Sequence, residues 1–215
     1  MPTDRPYILY GDRGSGSLPV EMALAEIGAP VELRPVPLES HAQLAEEYRR
    51  INPMGRVPTL ILPPEGTVLT ESLAILLTLA DRHPEAALLP PPPDPGRATA
   101  LRWMALLAGE VYPCVTRPDY PERFSADPAH APAIRARAQE MAREVWRIVE
   151  DAITPAPYLL GAQVSIADLY IAVLSRWMDG VAWTEAHCPK VAAIRRAVAA
   201  RPRCARVWRR HYPQG

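Results

Sequence analysis

Residues 88–96 read Leu-Leu-Pro-Pro-Pro-Pro-Asp-Pro-Gly. Proline has no N–H to give a helix or a ladder and fixes its own φ, so no regular element can run through this stretch. The 215 residues must therefore fold as two pieces joined by a stiff linker over 84–96. The pieces differ in texture. Before the linker, short strand-like runs alternate with helical spacing. After it no strand signal recurs. The expected domains are 1–83, which mixes strands and helices, and 97–215, which is all helical.

In the first piece Tyr7–Tyr10 reads as a strand, followed by the glycine-rich turn Gly11–Ser17. A helix is expected over Leu18–Ile27, where Val20, Ala23, Leu24 and Ile27 fall at helical spacing and Gly28 stops it. Residues 31–36 alternate as a second strand, and His41–Ile51 suggests a short polar helix. Thr59–Leu62 and Thr67–Leu69 are two strands joined by Pro63-Pro64-Glu65-Gly66, a hairpin signal. Glu71–Arg82 is helical. A mixed four-stranded sheet covered by helices satisfies this order. In the second piece helices are expected over Arg97–Tyr112, Ala133–Ile153, Ser165–Asp179, Val191–Ala200 and Cys204–Arg210. Ser165-Ile166-Ala167-Asp168 has capping-box spacing and opens a run that is apolar on nearly every face. Asp168 is thus expected to hold a buried helix end rather than to catalyse.

Composition narrows the function classes. The formal net charge is zero, which argues against a nucleic-acid binder. No stretch approaches 18 apolar residues, so no membrane span is expected, and no signal peptide is visible at the N-terminus. Cys114, Cys188 and Cys204 are odd in number and lack a CxxC pair. That argues against a disulfide framework or a zinc site and suits a reducing compartment, the cytoplasm. The histidines His83, His130, His187 and His211 have no metal-ligand spacing, and no metal is expected. Arg203, Arg206 and Arg210 share one face of the last helix, which reads as a solvated surface.

One pair of motifs is specific. Asn52-Pro53-Met54-Gly55-Arg56-Val57-Pro58-Thr59-Leu60, followed by Leu69-Thr70-Glu71-Ser72-Leu73-Ala74-Ile75, resembles the glutathione transferase superfamily. The likeness covers essentially the whole chain and is similar to the bacterial beta class. It implies a thioredoxin-like first domain that binds glutathione and a helical second domain. It also implies a cis bond before Pro58, so that Val57 offers its N–H and C=O to the cysteinyl part of glutathione as an added strand would. Ser72 would hold the γ-glutamyl carboxylate against the positive helix end, and Glu71 would take the α-amino group. Read without the resemblance, Thr70–Ser72 simply cap a helix.

The family's sulfur-activating residue follows the first strand. Aligned on the helix near Ser17, the serine place falls on Gly14 and the beta-class cysteine place on Gly16, neither of which has a usable side chain. Ser15 is the first candidate in their stead. Ser17 is the second, although it also reads as the N-cap of a helix with Pro19 in its first turn. Tyr10, Tyr112 and the bare backbone of the turn remain further candidates. For the glycyl carboxylate no lysine stands near Leu38–Gln43, only His41; Arg13 and Arg56 are alternatives. The resemblance places an apolar acceptor pocket near Tyr112 and Val115. The implied activity is conjugation of the glutathione thiolate to small hydrophobic electrophiles, in a homodimer. Other glutathione-dependent reactions (isomerisation, peroxide or disulfide reduction, ether cleavage) and a non-catalytic binding module stay open.

Overall fold

The computed structural model describes residues 5–213. They form two compact units. One is the chain up to Leu89 together with the segment from Ala199 onward; the other is Pro90–Val198.

The first unit contains β1 (Tyr7–Gly11), α1 (Leu18–Ile27), β2 (Val31–Pro35), α2 (Glu46–Arg49), β3 (Thr59–Leu62), β4 (Thr67–Thr70) and α3 (Ser72–Arg82). The sheet order is β2-β1-β3-β4. β1 runs parallel to β2, which requires the crossover helix α1 between them. β3 runs antiparallel to both β1 and β4. Leu9 lies opposite Leu33 on one side and Leu60 on the other, and Leu9 and Leu60 are buried with Leu18, Val20, Met22, Leu24, Ile75 and Leu79. The single polar helix expected over His41–Ile51 is instead a 3-10 turn, Ala42–Leu44, and the four-residue α2, divided by an extended Ala45. That segment has no apolar stripe to hold a full helix against a core, so tertiary packing does not complete it.

The second unit contains α4 (Pro95–Leu106), α5 (Tyr112–Asp119), α6 (Ala131–Ala152), α7 (Ile166–Leu174), α8 (Gly180–His187) and most of α9 (Pro189–Ala200). The helix expected to end at Tyr112 goes on. A π-helical turn, Leu107–Val111, joins α4 to α5, and Pro113 falls at the start of α5. The π turn has already interrupted the i→i−4 ladder there, so a residue without an N–H is accommodated inside the continuing helix. The helix expected over Ser165–Asp179 stops at Leu174, because Met178 and Asp179 take positive φ and turn the chain into α8. Every residue of α7 is buried. Among the described residues no helix is long and apolar enough to cross a membrane.

The last helix, α10 (Pro202–His211), belongs to the second piece in sequence but groups by contact with the first unit. It packs along α1 with Cys204, Val207, Trp208 and His211 buried. Arg201 pairs with Glu26 of α1 at 2.7 Å, and Cys204 lies 3.2 Å from the same carboxylate. The basic face is therefore not simply solvated. Arg203 bonds the Glu26 carbonyl, and Arg210 pairs with Glu21 of α1. The linker is tied down too: Asp94 accepts the Gly96 N–H at 2.7 Å and caps α4.

Candidate active site

The sheet register gathers three chain segments at one end. Thr59 pairs with both Tyr10 and Thr70. The turn after β1, the residues before β3 and the residues after β4 therefore emerge side by side. Both α1 and α3 begin at this end, and neither N-cap residue makes a side-chain capping bond. Helix N-termini favour negative charge at the place where they open.

The segment before β3 is held from below by Asn52 and Tyr48. Asn52 is buried; its Nδ2 donates to the Arg56 carbonyl at 2.8 Å and to Thr59 Oγ1 at 3.2 Å. Its Oδ1 accepts the Met54 N–H at 3.1 Å. The Tyr48 hydroxyl sits 2.7 Å from the same Arg56 carbonyl and 2.8 Å from Thr59 Oγ1. Gly55 has φ +59, and a Cβ there would stand 3.0 Å from the Gln43 carbonyl, so glycine is required. The residues on both sides of Val57-Pro58 are thus fixed. The Val57-Pro58 bond is cis, and Val57 lies outside the paired residues of the sheet. Asn52→Ala strands the Met54 N–H and loosens the Arg56 carbonyl. It is expected to lower stability by about 2 kcal/mol, read as a shift in urea midpoint at constant m; a shift below a quarter of that would show that Tyr48 alone holds the loop.

After β4, Glu71 has φ +64 and ψ +110, outside the basins open to a residue with a Cβ. Glu71 is exposed and Ser72, the first residue of α3, is buried. Strained backbone of this kind persists where the surroundings over-determine it, and it clusters at ligand sites. A residue serving only as a helix cap would adopt an extended conformation and accept a first-turn N–H with its side chain. Glu71 does neither; only its carbonyl accepts, from the Ile75 N–H at 2.9 Å.

The turn after β1 is organised by Asp12. Its carbonyl accepts the Ser15 N–H at 3.3 Å, the Ser15 hydroxyl at 2.8 Å and the Ser17 hydroxyl at 3.2 Å. The two hydroxyls are 3.0 Å apart. Asp12 Oδ2 accepts the Leu38 N–H at 2.8 Å, anchoring the turn to the chain after β2. Ser17 stands at the N-cap position, but it has helical dihedrals and makes no cap bond. Tyr10 is directed elsewhere: its hydroxyl takes a hydrogen bond from Arg34 at 3.1 Å.

One residue in contact with the turn lies far away in sequence. Gly14, at φ +67, donates its N–H to His211 Nδ1 at 3.0 Å. His211 Nε2 is 2.9 Å from Glu21 Oε2, and both side chains are almost fully buried. A cavity of about 360 Å³ is lined by Ser17, Glu21, Arg34, Arg210 and His211 but by none of Val57, Glu71 and Ser72. It lies on the β2 side of the turn.

Residues 16–82 match the glutathione S-transferase N-terminal domain, and residues 132–210 match its C-terminal domain. The chain is 30% identical over 198 residues to glutathione S-transferase GstA of Escherichia coli O157:H7, covering 90% of this chain and 93% of that one. The chain belongs to the glutathione S-transferase family. A transferase homologue from Sulfitobacter, solved with glutathione bound, superposes with a TM-score of 0.86 at 31% identity, over 94% of this chain and 96% of that one. A probable maleylacetoacetate isomerase of Caenorhabditis elegans is 35% identical over 113 residues, 53% of this chain and 51% of that one.

In this family member Val57, Pro58, Glu71, Ser72, Ser15 and Ser17 all belong to the segments gathered at one end of the sheet. Arg13, Arg56 and His41 are exposed. Tyr112 and Val115 sit on α5 in the second unit. Tyr112 stands edge-on to Trp177, with ring centroids 5.2 Å apart. Val115 lines a small recess with Val111, Trp146, Leu174 and Trp177. From the sequence His211 was considered only as a metal ligand and set aside, and Glu21 was not singled out. The only local trace was the apolar-basic alternation of the last helix, which identifies a packed helix but not its partner.

Proposed function

We propose that the chain conjugates the thiolate of glutathione to small apolar electrophiles, as a homodimer. The observation that carries this reading is the pair of helix N-termini opening at one end of the sheet beside the Val57 backbone, neither with a capping bond from its own N-cap side chain. The α3 end and the Ser72 hydroxyl suit the γ-glutamyl carboxylate, with Glu71 for the α-amino group. The Val57 peptide suits the cysteinyl residue. The α1 end suits a sulfur anion. A free thiol has a pKa of about 8.5, and each unit by which a site lowers it corresponds to about 1.4 kcal/mol of preference for the thiolate.

Ser15 and Ser17 share one acceptor, the Asp12 carbonyl, and also contact each other. If Ser17 keeps that carbonyl, the Ser15 O–H can turn to the sulfur and leave no buried group unpaired. The thiolate then attacks the electrophilic carbon, the carbon–sulfur bond forms, and the leaving group departs with its electron pair. Tyr112 and Val115 are the proposed acceptor-side residues. The isomerase relative favours a second reading, in which the thiolate adds to a double bond and is expelled after rotation; the same binding groups serve both.

The test is retention on immobilised glutathione, turnover with an aryl halide, and the pKa of bound glutathione from thiolate absorbance. Ser15→Ala is expected to raise that pKa by about one unit with binding intact, and Ser17→Ala by less. If neither variant nor the double variant moves it, no serine hydroxyl activates the thiol. Binding without turnover on a panel of electrophiles, including a cis-enone acid, would leave a binding module.

A further inference from the structure

We infer that His211, carried on the last helix and oriented by Glu21, is a positioning residue for the Gly14–Ser17 turn and so for activation of the thiol. The inference rests on the conjugation reading above. The hydrogen-bond directions fix the chemistry. A backbone N–H can only donate, so the 3.0 Å contact from Gly14 requires a lone pair on Nδ1. The imidazole is then neutral, its proton is on Nε2, and that proton points at Glu21 Oε2, 2.9 Å away. Glu21 selects the tautomer, as carboxylates behind histidines commonly do.

The groups facing the imidazole from each element agree with a neutral ring. Glu21 comes from α1, Arg210 from α10, and Asp12 and Arg13 from the turn. Burial, with the charges of Arg210 and Arg13 outweighing Asp12, pushes His211 down to about 4. Arg210 also pairs with Glu21, which balances the carboxylate charge that would otherwise favour an imidazolium.

The consequence falls on the turn. Gly14 directly precedes Ser15, whose own N–H and hydroxyl are already bonded to Asp12. Asp12 grips the turn through Ser15 and Ser17, and His211 grips it through Gly14. Tyr212 adds contact from the same helix end, its ring 3.5 Å from where a Gly14 Cβ would lie. With both grips in place the serines and the N-terminus of α1 are held at one setting before ligand arrives. Preorganised donors of this kind stabilise developing anions without reorganisation.

Two substitutions separate positioning from mere stability. His211→Asn carries an amide oxygen at the Nδ1 position and retains an acceptor for Gly14. His211→Gln reaches Glu21 and loses that acceptor. Bound-glutathione thiol pKa is expected to rise by about one unit in His211→Gln, with glutathione Kd changed less than twofold, and to return most of the way in His211→Asn. Equal values in the wild type and both variants, or equal rises tracking lost thermal stability, overturn the inference. Nitrogen chemical shifts of His211 in the unmodified protein test the premise without any variant. A pyridine-like Nδ1 and a pyrrole-like Nε2 at neutral pH are expected; the opposite tautomer or an imidazolium overturns it. A wild-type protein that fails to lower the thiol pKa overturns this inference and the functional reading together. A lowered pKa that no His211 variant moves overturns this inference alone.

Discussion

Asp168→Ala is expected to lower the melting temperature by about 6–12 °C, the largest stability effect of any single change proposed for this chain. Asp168 is fully buried at the start of α7. It accepts the Ser165 N–H at 2.8 Å, the Ser165 hydroxyl at 2.6 Å and the Leu159 N–H at 2.7 Å. Burial pushes its carboxyl above the usual range, while those donors work against the shift. Alanine leaves three buried donors with no acceptor, at about 1 kcal/mol or more each. A loss of about 3 kcal/mol corresponds to the stated shift for a chain of this size. Asparagine is no remedy, because its NH2 would face a donor in either orientation, the Leu159 N–H or the Ser165 N–H. None of these partners belongs to the segments at the candidate site, so glutathione affinity of the folded variant should be unchanged. A melting temperature within 2 °C of the wild type would show that water replaces the carboxylate.

The second large effect is on binding. Glu71→Gln and Ser72→Ala each remove one charge-assisted contact to the γ-glutamyl end, with an expected cost of about 1.5–3 kcal/mol. Calorimetry should therefore find glutathione binding weaker by about tenfold to 150-fold in each. Glu71→Gly separates the ligand role from the backbone. Glycine relieves a conformation at φ +64 and ψ +110 that costs a residue with a Cβ roughly 1–3 kcal/mol. Stability should rise while affinity falls. Unchanged affinity in Glu71→Gln and Ser72→Ala would remove the γ-glutamyl assignment.

The sequence was most legible where structure is set by neighbours along the chain. α1 runs over the expected Leu18–Ile27 and ends at Gly28. β3 occupies the expected Thr59–Leu62, and the bond before Pro58 is cis. Local signals failed where a distant partner decides the outcome. The helix expected to end at Tyr112 runs on, because the π turn before Pro113 lets a residue without an N–H sit inside it. Ser17 reads as a cap, yet Asp12 recruits its hydroxyl into the turn. Nothing near Gly14 announces that its N–H is accepted by a side chain 197 residues away. The motif around Val57 and Glu71 was readable because each part forms its own local structure. Its meeting place needed the register of the sheet.

The first unit is discontinuous in sequence: α10 joins it from beyond the whole of Pro90–Val198. On a ribosome adding about 5–20 residues per second, roughly 6–25 s elapse between emergence of α3 and emergence of α10. During that interval α1 lacks the helix that packs along it, and Gly14 lacks the acceptor for its N–H. The sheet can form, but the turn that carries Ser15 cannot reach its final shape until α10 arrives. Completion of the candidate site thus waits for α10, and a nascent chain, or one clipped ahead of α10, presents the Val57 and Glu71 segments without the finished turn.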